Sequence, residues 1–423
     1  MEKSELVEKL KDGSLDNVLA DIYCDESKLD YQRARYIAAS EKFEQLFGGG
    51  DISIYSAPGR IEIVGNHTDH QHGRVIGAAI NEDVIAVVKK SDDDYVRLVS
   101  GDNPEIKIDI NALEISEEEA KSTSALIKGM LFGFKGMECN LGGFCAYITS
   151  DILVGSAFAS SAAFESLIGI IISGLFNNMQ ISPKEIAQIG QYSENIYFGK
   201  PSGLMDQMTC SVGGFVYIDF ANPANPKTEK IEADLSDYSV CMVDTKSTSG
   251  DQSAEYALIV AEMKSVAVEL GREFLNEIGR TDFEMHIPAL REKCSDRAIL
   301  RAMHFYGEND RVAKVAKALR ENDTAEFIKK EKESGKSSYM YLQNACSPDE
   351  YLKQDIPLAL AMSDKILKED EAARIHASGF GGVMEAFVKN ENVEAYRKRM
   401  EETFSNCACT VLKIRKYGGI QVI

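Results

Sequence analysis

The stretch that decides the fold is Ser56-Ala-Pro-Gly-Arg-Ile-Glu-Ile-Val-Gly-Asn-His-Thr-Asp-His-Gln-His-Gly73. Its first half predicts a strand that carries Arg60. Half of the six histidines of the chain then follow between His67 and His72, beside Asp69. Polar groups this dense at the end of a strand usually line a site. Alone, the stretch leaves two other interpretations open, a solvated loop and a metal site of histidines and aspartate.

A second unusual segment is Val154-Gly-Ser-Ala-Phe-Ala-Ser-Ser-Ala-Ala163, directly before an apolar stretch that predicts a helix. Small residues let the backbone approach a ligand closely. The unpaired N–H groups of the first helical turn, together with the helix dipole, favour an anion such as phosphate. The hydroxyls of Ser160 and Ser161 could reach a phosphate or Mg²⁺. Tight helix packing through small residues is the alternative interpretation.

Two further segments are rich in glycine. Ser378-Gly-Phe-Gly-Gly382 lies between a predicted helix and a predicted strand, and Phe198-Gly-Lys-Pro-Ser-Gly-Leu-Met-Asp-Gln207 carries Asp206. Glu194 lies on the predicted helix before the second of these. Each segment alone is a weak signal for a site, because glycine-rich turns are common in loops.

Around these segments the sequence predicts mixed runs of strands and helices, which favour an α+β class. A helical segment is predicted to end at about Phe47. Another predicted helix starts at Pro183, directly after Ser182. Asn222–Pro226 is the predicted linker. The predicted strands of the first half are Ile52–Ser56, Arg60–Val64, Val84–Lys89, Tyr95–Ser100, Glu105–Ile110, Gly143–Thr149 and Gly214–Phe220. The later predictions include helices at Asp251–Ile278, Ile287–Leu319 and Asp349–Leu367.

Composition limits the class of partner. The chain has 423 residues and a net charge of −20, with 67 acidic against 47 Lys and Arg residues. This balance argues against nucleic acid and anionic membranes as partners. The N-terminal segment has no apolar signal core, and the apolar stretch near Leu167–Phe176 is too short to span a bilayer. Nine cysteines without metal-finger spacing fit a reducing compartment, so we expect a cytoplasmic protein.

Taken in order, the four segments resemble the GHMP kinases, and most closely the galactokinases. The first is similar to the signature A-P-G-R-x-x-x-x-G-E-H-T-D, and the second loosely to P-x-G-x-G-L-S-S-S-A-A. The third is similar to G-F-G-G, and the residues around Asp206 match G-x-M-D-Q. The resemblance spans roughly residues 50–390. It implies phosphorylation of the anomeric hydroxyl of galactose by ATP with Mg²⁺, in a monomer or weak homodimer.

The resemblance also implies a fold. It is the two-domain α+β GHMP kinase fold, with mixed β-sheets, helices on one face and the active site in the interdomain cleft. We expect an N-terminal domain at 1–225 and a C-terminal domain at 226–423.

The resemblance assigns roles to individual residues. Asp206 matches the catalytic aspartate, and Arg60 matches the arginine that keeps it ionised and offsets charge on the transferring phosphoryl group. Substrate contacts fall on Arg60, Asn66, His67, Asp69, Gly203, Asp206 and Tyr256. ATP contacts fall on Gly155, Ser156, Ala157, Ala159, Ser160, Ser161, Ala162, Gly379 and Gly381. The metal contacts fall on Ser160 and Glu194.

The departure with most consequence is Asn66, which replaces the glutamate of the signature. Loss of a carboxylate there, with His70 and His72 nearby, would lower the electrostatic penalty for a sugar that carries its own carboxylate. Galacturonate is therefore an alternative substrate. Ser334–Ser338 and Leu342–Asn344 are also similar to the plant galacturonate kinase branch.

Two other functions stay open at this stage. A catalytically silent sugar sensor on the same fold is one, although Arg60, Ser160, Glu194 and Asp206 are all present. Mevalonate or homoserine phosphorylation is the other. The segment His67–Asp69 argues against it, because those substrates do not need a loop that binds a polyol.

Overall fold

The computed structural model describes residues 1–115, 118–152, 158–246 and 253–423. Its internal contacts divide the chain into two compact units. The first unit comprises Met1–Arg60, Ala78–Gly214 and Arg415–Ile423. The second comprises Ile61–Gly77 and Phe215–Ile414.

This division differs from the predicted domains 1–225 and 226–423. The segment Ile61–Gly77 belongs to the second unit although it lies early in the chain, and the last nine residues belong to the first. The predicted linker Asn222–Pro226 is instead the turn of a β-hairpin, because Phe215–Asp219 pairs with Lys227–Ile231 on its far side. Its prolines and asparagines suit a tight turn as well as they suit a linker, so the local sequence did not distinguish the two.

The helices and strands alternate irregularly along the chain. From the N-terminus to residue 214 they are α1 (Lys3–Lys11), α2 (Asp16–Tyr23), α3 (Leu29–Phe47), β1 (Ser53–Val64), β2 (Arg74–Lys90), β3 (Tyr95–Ser100), β4 (Ile106–Asp109), α4 (Thr123–Gly136), β5 (Phe144–Ser150), α5 (Ser160–Asn177), α6 (Pro183–Tyr192) and α7 (Met205–Val212). From residue 215 onward they are β6 (Phe215–Asp219), β7 (Lys227–Ile231), β8 (Tyr238–Asp244), α8 (Ser253–Glu269), α9 (Arg280–Leu290), α10 (Asp296–Arg320), α11 (Thr324–Ser337), α12 (Asp355–Ile366), β9 (Ala372–Ile375), β10 (Val383–Lys389), α13 (Val393–Thr403), β11 (Cys409–Leu412) and β12 (Ile420–Gln421).

The sheet of the first unit has the strand order β12-β1-β2-β5-β3-β4, in which β3 and β5 are parallel. The two strands predicted at Ile52–Ser56 and Arg60–Val64 form one strand, β1. They continue through Gly59 because that residue has no side chain. A Cβ there would lie 2.9 Å from the carbonyl oxygen of Phe158, which accepts the Arg60 N–H at 3.1 Å.

The second unit contains an antiparallel sheet in the order β11-β8-β10-β9, together with helices α8 to α13. The helix predicted at Ile287–Leu319 is two helices, α9 and α10. Ser295 separates them because its hydroxyl accepts the N–H of Ala298 and caps α10. Helices α8, α9 and α10 contribute to one apolar core, which includes Phe283, Phe305 and Tyr306.

Helix α5 is long and apolar enough to cross a membrane by length and composition alone, and it is the one such helix among the described residues. It lies in the core of the first unit, where 61% of it is buried. The apolar stretch was expected to be too short to span a bilayer, but the helix that contains it extends beyond Leu167–Phe176, and its packing in the core accounts for its apolar character.

A buried charge cluster holds the first unit together. The carboxylate of Asp83 on β2 is fully buried and accepts from Arg35 of α3 at 2.6 Å and from Arg415 at 3.1 Å. Tyr23 of α2 donates to it at 2.9 Å, and Ser56 of β1 donates to it as well. Burial would raise the pKa of Asp83, but the two arginines outweigh burial and the pKa lies below its usual value. The ionised carboxylate on β2 therefore binds side chains from four other segments: α2, α3, β1 and the C-terminal segment.

We expect Asp83→Ala to destabilise the first unit by about 3–5 kcal/mol, because it leaves two arginines buried without their carboxylate. Urea unfolding of the full chain measures this loss. The control is Asp93→Ala, which removes the exposed partner of Arg97 and should change stability little. Equal losses in the two variants would contradict the role given to Asp83.

Candidate active site

Arg60 and Asp206 form a bidentate ion pair within the first unit. The Nε and Nη2 atoms of Arg60 donate to the two carboxylate oxygens of Asp206, each at 2.7 Å. Arg60 is almost fully buried, whereas the side chain of Asp206 is 34% exposed. This geometry orients the aspartate and favours its ionised form. One side of the carboxylate remains accessible to a ligand.

The backbone around Asp206 supports this orientation. Asp206 lies in the first turn of α7, where the helix dipole favours a negative charge. Gly203 is exposed in the loop just before this helix. Gly203 therefore shortly precedes Asp206 in the sequence, and its predicted contact with the sugar stays a prediction.

Glu194 is the centre of a second polar cluster in the first unit. It lies in a π-helical turn, Ser193–Phe198, and is almost fully buried. Its Oε1 accepts from the hydroxyl of Ser161 at 2.9 Å and from Nζ of Lys200 at 3.1 Å. Its Oε2 accepts from Nε2 of Gln207 at 2.7 Å. The sequence assigned Mg²⁺ contacts to Ser160 and Glu194, which stay predictions, and it did not predict the contact of Ser161 with Glu194.

The same glutamine reaches another acid. Nε2 of Gln207 also donates to Glu165 at 3.1 Å, and both residues are buried. Burial, and after it the neighbouring Glu194, raise the pKa of Glu165 well above its usual value. Burial therefore favours the neutral form of Glu165. Sequence analysis missed Glu165, Lys200 and Gln207, although Gln207 lies in the G-x-M-D-Q motif that drew attention to Asp206.

The predicted phosphate loop is described only from Phe158 onward. The predicted ATP contacts Gly155, Ser156 and Ala157 lie outside the described residues. Helix α5 begins at Ser160, and Ala159 before it has a left-handed backbone with φ of 57°. Ala162 is fully buried, so its side chain is not available to a ligand. The first-turn N–H groups of this helix remain suited to an anion.

The oxygen donors around Glu194 fit Mg²⁺. In phosphoryl-transfer enzymes Mg²⁺ uses one or two protein oxygens together with phosphates and waters. Glu194 and the hydroxyl of Ser161 supply two such oxygens beside the start of α5.

Over the described part of the chain, no group of three or more His, Cys, Asp or Glu side chains could hold a metal ion. The alternative of a metal site among His67, Asp69 and the nearby histidines therefore has no support.

In the second unit, the predicted sugar loop is a compact aromatic cluster. His67 has a left-handed backbone with φ of 58°, and its Nδ1 lies 3.3 Å from Nε2 of His70. The ring of Tyr256 on α8 lies 5.1 Å from that of His67, and 41% of Tyr256 is exposed. Asp69 is partly exposed at the start of a short 3₁₀ turn. The structure therefore brings His67 and Tyr256 together, with Asp69 two residues further along the loop.

Asn66 is fully buried, which the sequence did not predict. Its Nδ2 donates to Glu62 at 2.8 Å and also to the carbonyl of Ala377. Its Oδ1 accepts from Asn344 at 2.9 Å. Asn66 replaces the glutamate of the signature, but a carboxylate is still present at this place, because that of Glu62 contacts the Asn66 amide. The segments Ser334–Ser338 and Leu342–Asn344 approach the same place, because Ser337 contacts His304, whose other ring nitrogen lies 2.9 Å from the Asn66 carbonyl.

The glycine-rich turn at Ser378–Gly382 lies against this loop. The carbonyl of Ser378 is 3.2 Å from Nε2 of His67. Gly379 has φ of +77°, and a Cβ there would lie 2.2 Å from the carbonyl oxygen of Asn344, so the position requires glycine. The ATP contacts assigned to Gly379 and Gly381 stay predictions, since the contacts described for this turn are with His67 and Asn344.

The histidines of the loop are neutral at pH 7. Burial lowers the pKa of His67 well below its usual value and lowers that of His70 to about 4. Burial also lowers the pKa of His72, which stacks on Phe274 with ring centres 3.7 Å apart. Burial therefore disfavours the positive charge by which His70 and His72 were expected to offset a sugar carboxylate.

These values predict a pH dependence. The folded pKa of His70 is about 4, below its usual value near 6.5, so its contribution to stability is present above pH 6.5 and is lost as the pH falls towards 4. We expect His70→Gln to lose less stability than the wild type between pH 6.5 and 4, as measured by urea unfolding. The control is His286→Gln on the exposed surface of α9. A pH slope for His70→Gln as steep as that of the wild type would contradict the assignment.

Comparisons with known proteins agree with this geometry. Residues 41–90 match the galactokinase galactose-binding signature, and residues 124–214 match the GHMP kinase N-terminal domain. A galactokinase of Lactococcus lactis subsp. lactis is 27% identical over 375 residues, which cover 87% of this chain and 91% of the relative. A galactokinase of Streptococcus suis is 28% identical over 389 residues, covering 86% and 92%.

Solved structures show the same fold. The crystal structure of Lactococcus lactis galactokinase complexed with galactose superposes with a TM-score of 0.76 at 24% identity, covering 92% of this chain and all of that one. The mevalonate kinase of Methanococcus jannaschii gives a TM-score of 0.62 at 16% identity and covers 86% of this chain. With the galactose-binding signature and the GHMP kinase N-terminal domain both matched, the chain is similar to the galactokinases of the GHMP kinases over most of its length.

Proposed function

We propose that this protein is an ATP-dependent galactokinase, which phosphorylates the anomeric hydroxyl of D-galactose and yields galactose 1-phosphate and ADP. The observation that carries the proposal is the bidentate pair of Arg60 and Asp206, in a chain that matches the galactokinase galactose-binding signature. The relatives that match over most of the chain are galactokinases.

Phosphoryl transfer depends on positioning and charge stabilisation more than on covalent chemistry. Asp206 would accept a hydrogen bond from the sugar hydroxyl and take its proton late in the transfer. A carboxylate held by a guanidinium is a weak base, so orientation is its main contribution. Arg60 would offset the negative charge that develops on the transferring group.

The first unit also supplies a place for the nucleotide. The N–H groups at the start of α5 suit phosphate oxygens, and the hydroxyl of Ser161 with the carboxylate of Glu194 would hold Mg²⁺. The metal, when bound, neutralises phosphate charge. We favour Ser161 over Ser160 for this role because Ser161 contacts Glu194. Ser160, Ala159 and the glycine-rich turn remain proposed nucleotide contacts.

The sugar would be bound by hydrogen-bonding side chains and an aromatic ring. His67, Asp69 and Tyr256 offer hydrogen bonds and an aromatic face, and the neutral imidazole of His67 can donate or accept. A pocket built on paired hydrogen bonds to hydroxyls rejects sugars that lack them. Asn66 would act through the loop that it holds in place, since its amide is buried.

Galacturonate is the second candidate substrate, because Asn66 replaces the glutamate of the signature. Two observations weigh against it: His70 and His72 are neutral, and the carboxylate of Glu62 contacts Asn66. A sugar carboxylate would gain no cation from these groups. We therefore propose galactose as the preferred substrate.

A silent sugar sensor is disfavoured because the polar clusters of Asp206 and Glu194 are complete in the described residues. We further propose a cytoplasmic location and a monomer or weak homodimer. The acidic composition and the apolar core helix α5 agree with that location.

A coupled ADP-release assay with ATP and Mg²⁺ tests the substrate. The panel contains galactose, galacturonate, glucose and N-acetylgalactosamine. We expect kcat/KM for galactose to exceed that for galacturonate by about tenfold or more, the cost of one unmatched charged or polar contact. Preference for galacturonate would favour the second candidate, and absence of turnover with every sugar would favour the sensor.

We expect Asp206→Asn to lower kcat by about 10²–10⁴-fold, because the neutral amide orients the hydroxyl poorly and cannot take its proton. Circular dichroism checks that the variant is folded. The control is Asp219→Asn, which alters another partly exposed Arg–Asp pair, with Arg74. Near-normal turnover by Asp206→Asn would contradict the assigned role.

A further inference from the structure

Lys200 contacts Glu194 at two points. Its backbone N–H donates to the Glu194 carbonyl at 3.0 Å, and its Nζ lies 3.1 Å from Oε1 of the same residue. Gly199 makes this return of the chain feasible, because its left-handed backbone, with φ of 80°, ends the π-helical turn. The local fold therefore directs this lysine to the carboxylate.

The two oxygens of Glu194 are held in different ways. Oε2 accepts from Gln207, which is fully buried and cannot move away without leaving an unpaired group. Oε1 accepts from Ser161 and from Lys200. The side chain of Lys200 is 60% exposed, whereas that of Glu194 is 2% exposed. Because an exposed lysine regains hydration when it leaves, Lys200 is the partner that Glu194 can exchange most easily.

The charges of Glu194, Lys200 and a divalent cation determine the order in which these groups would bind one another. Glu194 is a buried carboxylate that contacts Ser161 in the first turn of α5. A divalent cation on Oε1 would repel the ammonium of Lys200, which is then free to move. The hydroxyl of Ser161 contacts Oε1 of Glu194 and lies in the first turn of α5, so phosphates that arrive with the cation would bind beside this oxygen. They are then the strong acceptors nearest to the ammonium of Lys200.

We propose that Lys200 neutralises Glu194 in the nucleotide-free protein and transfers to phosphate oxygens of the nucleotide when a divalent cation takes its place. Lys200 is thus a phosphate-binding residue that competes with the metal before the nucleotide binds. This inference rests on the proposed kinase function. It assigns a role to a residue that neither the signature nor the G-x-M-D-Q motif includes.

The test uses Lys200→Met, which keeps the length of the side chain and removes its charge. We measure Mn²⁺ binding to the nucleotide-free protein by electron paramagnetic resonance. Binding should become roughly two- to fivefold tighter, the range expected when an exposed ion pair no longer competes. We then measure ADP binding by calorimetry in saturating Mn²⁺, and expect it to become about tenfold weaker, as for loss of one charged hydrogen bond.

Two variants serve as controls. Lys9→Met removes the lysine of a partly exposed pair with Glu5 in the same unit and should change neither measurement. Lys200→Arg keeps the charge and should retain most of the ADP affinity. Weaker Mn²⁺ binding by Lys200→Met would mean that the lysine only holds Glu194 in position, and would overturn the proposal.

Unchanged binding of either Mn²⁺ or ADP would also overturn it. Both measurements are made without turnover. Failure of the lysine inference is therefore distinguishable from failure of the proposed function, which the sugar assay of the wild-type protein tests separately.

Discussion

The ionised carboxylate of Asp83 is the interaction on which the first unit depends. Arg35 comes from the N-terminal helices and Arg415 from the C-terminal segment, and both donate to this one side chain on β2. Ser56 on β1 donates to it as well. Strand β1 is thereby fixed to β2, and four residues beyond Ser56 the same strand carries Arg60. The position of Arg60 thus depends on a buried ion-pair cluster that lies outside the pair of Arg60 and Asp206.

The two candidate sites differ in the polar groups that they present. The first unit concentrates charge: Arg60 holds Asp206, and Ser161, Lys200 and Gln207 surround Glu194. This arrangement suits a reaction in which negative phosphate oxygens must be bound and stabilised. In the loop of the second unit, burial disfavours charge on the histidines instead. Neutral hydrogen-bonding groups are what an uncharged sugar needs.

Local signals predicted several elements well. Strand β3 occupies Tyr95–Ser100 as predicted, and Ser182 with Glu185 forms a full capping box at the start of α6. The hairpin at Asn222–Pro226 was mistaken for a linker, because a turn and a linker share the same residue types and only strand pairing separates them. Continuity of β1 through Gly59 was missed for a similar reason: it depends on a close approach to Phe158.

For the site, the resemblance paired Arg60 with Asp206 and singled out Glu194, but it did not predict the partners of Glu194. Ser160 and Ser161 are neighbours that point about 100° apart around a helix axis. Only the tertiary structure shows which of them meets Glu194. The charge state of His70 could not be predicted either, because it depends on burial by residues distant in sequence. The same holds for Asn66, whose amide is paired with Glu62 and Asn344.

The most direct test of the central claim is identification of the product. The protein is incubated with ATP, Mg²⁺ and galactose labelled with ¹³C at C1, and the mixture is followed by ³¹P and ¹³C nuclear magnetic resonance. The account predicts a new phosphate signal coupled to the labelled C1, formed in step with ADP. A phosphate on another carbon, or ADP release without any sugar phosphate, would contradict it.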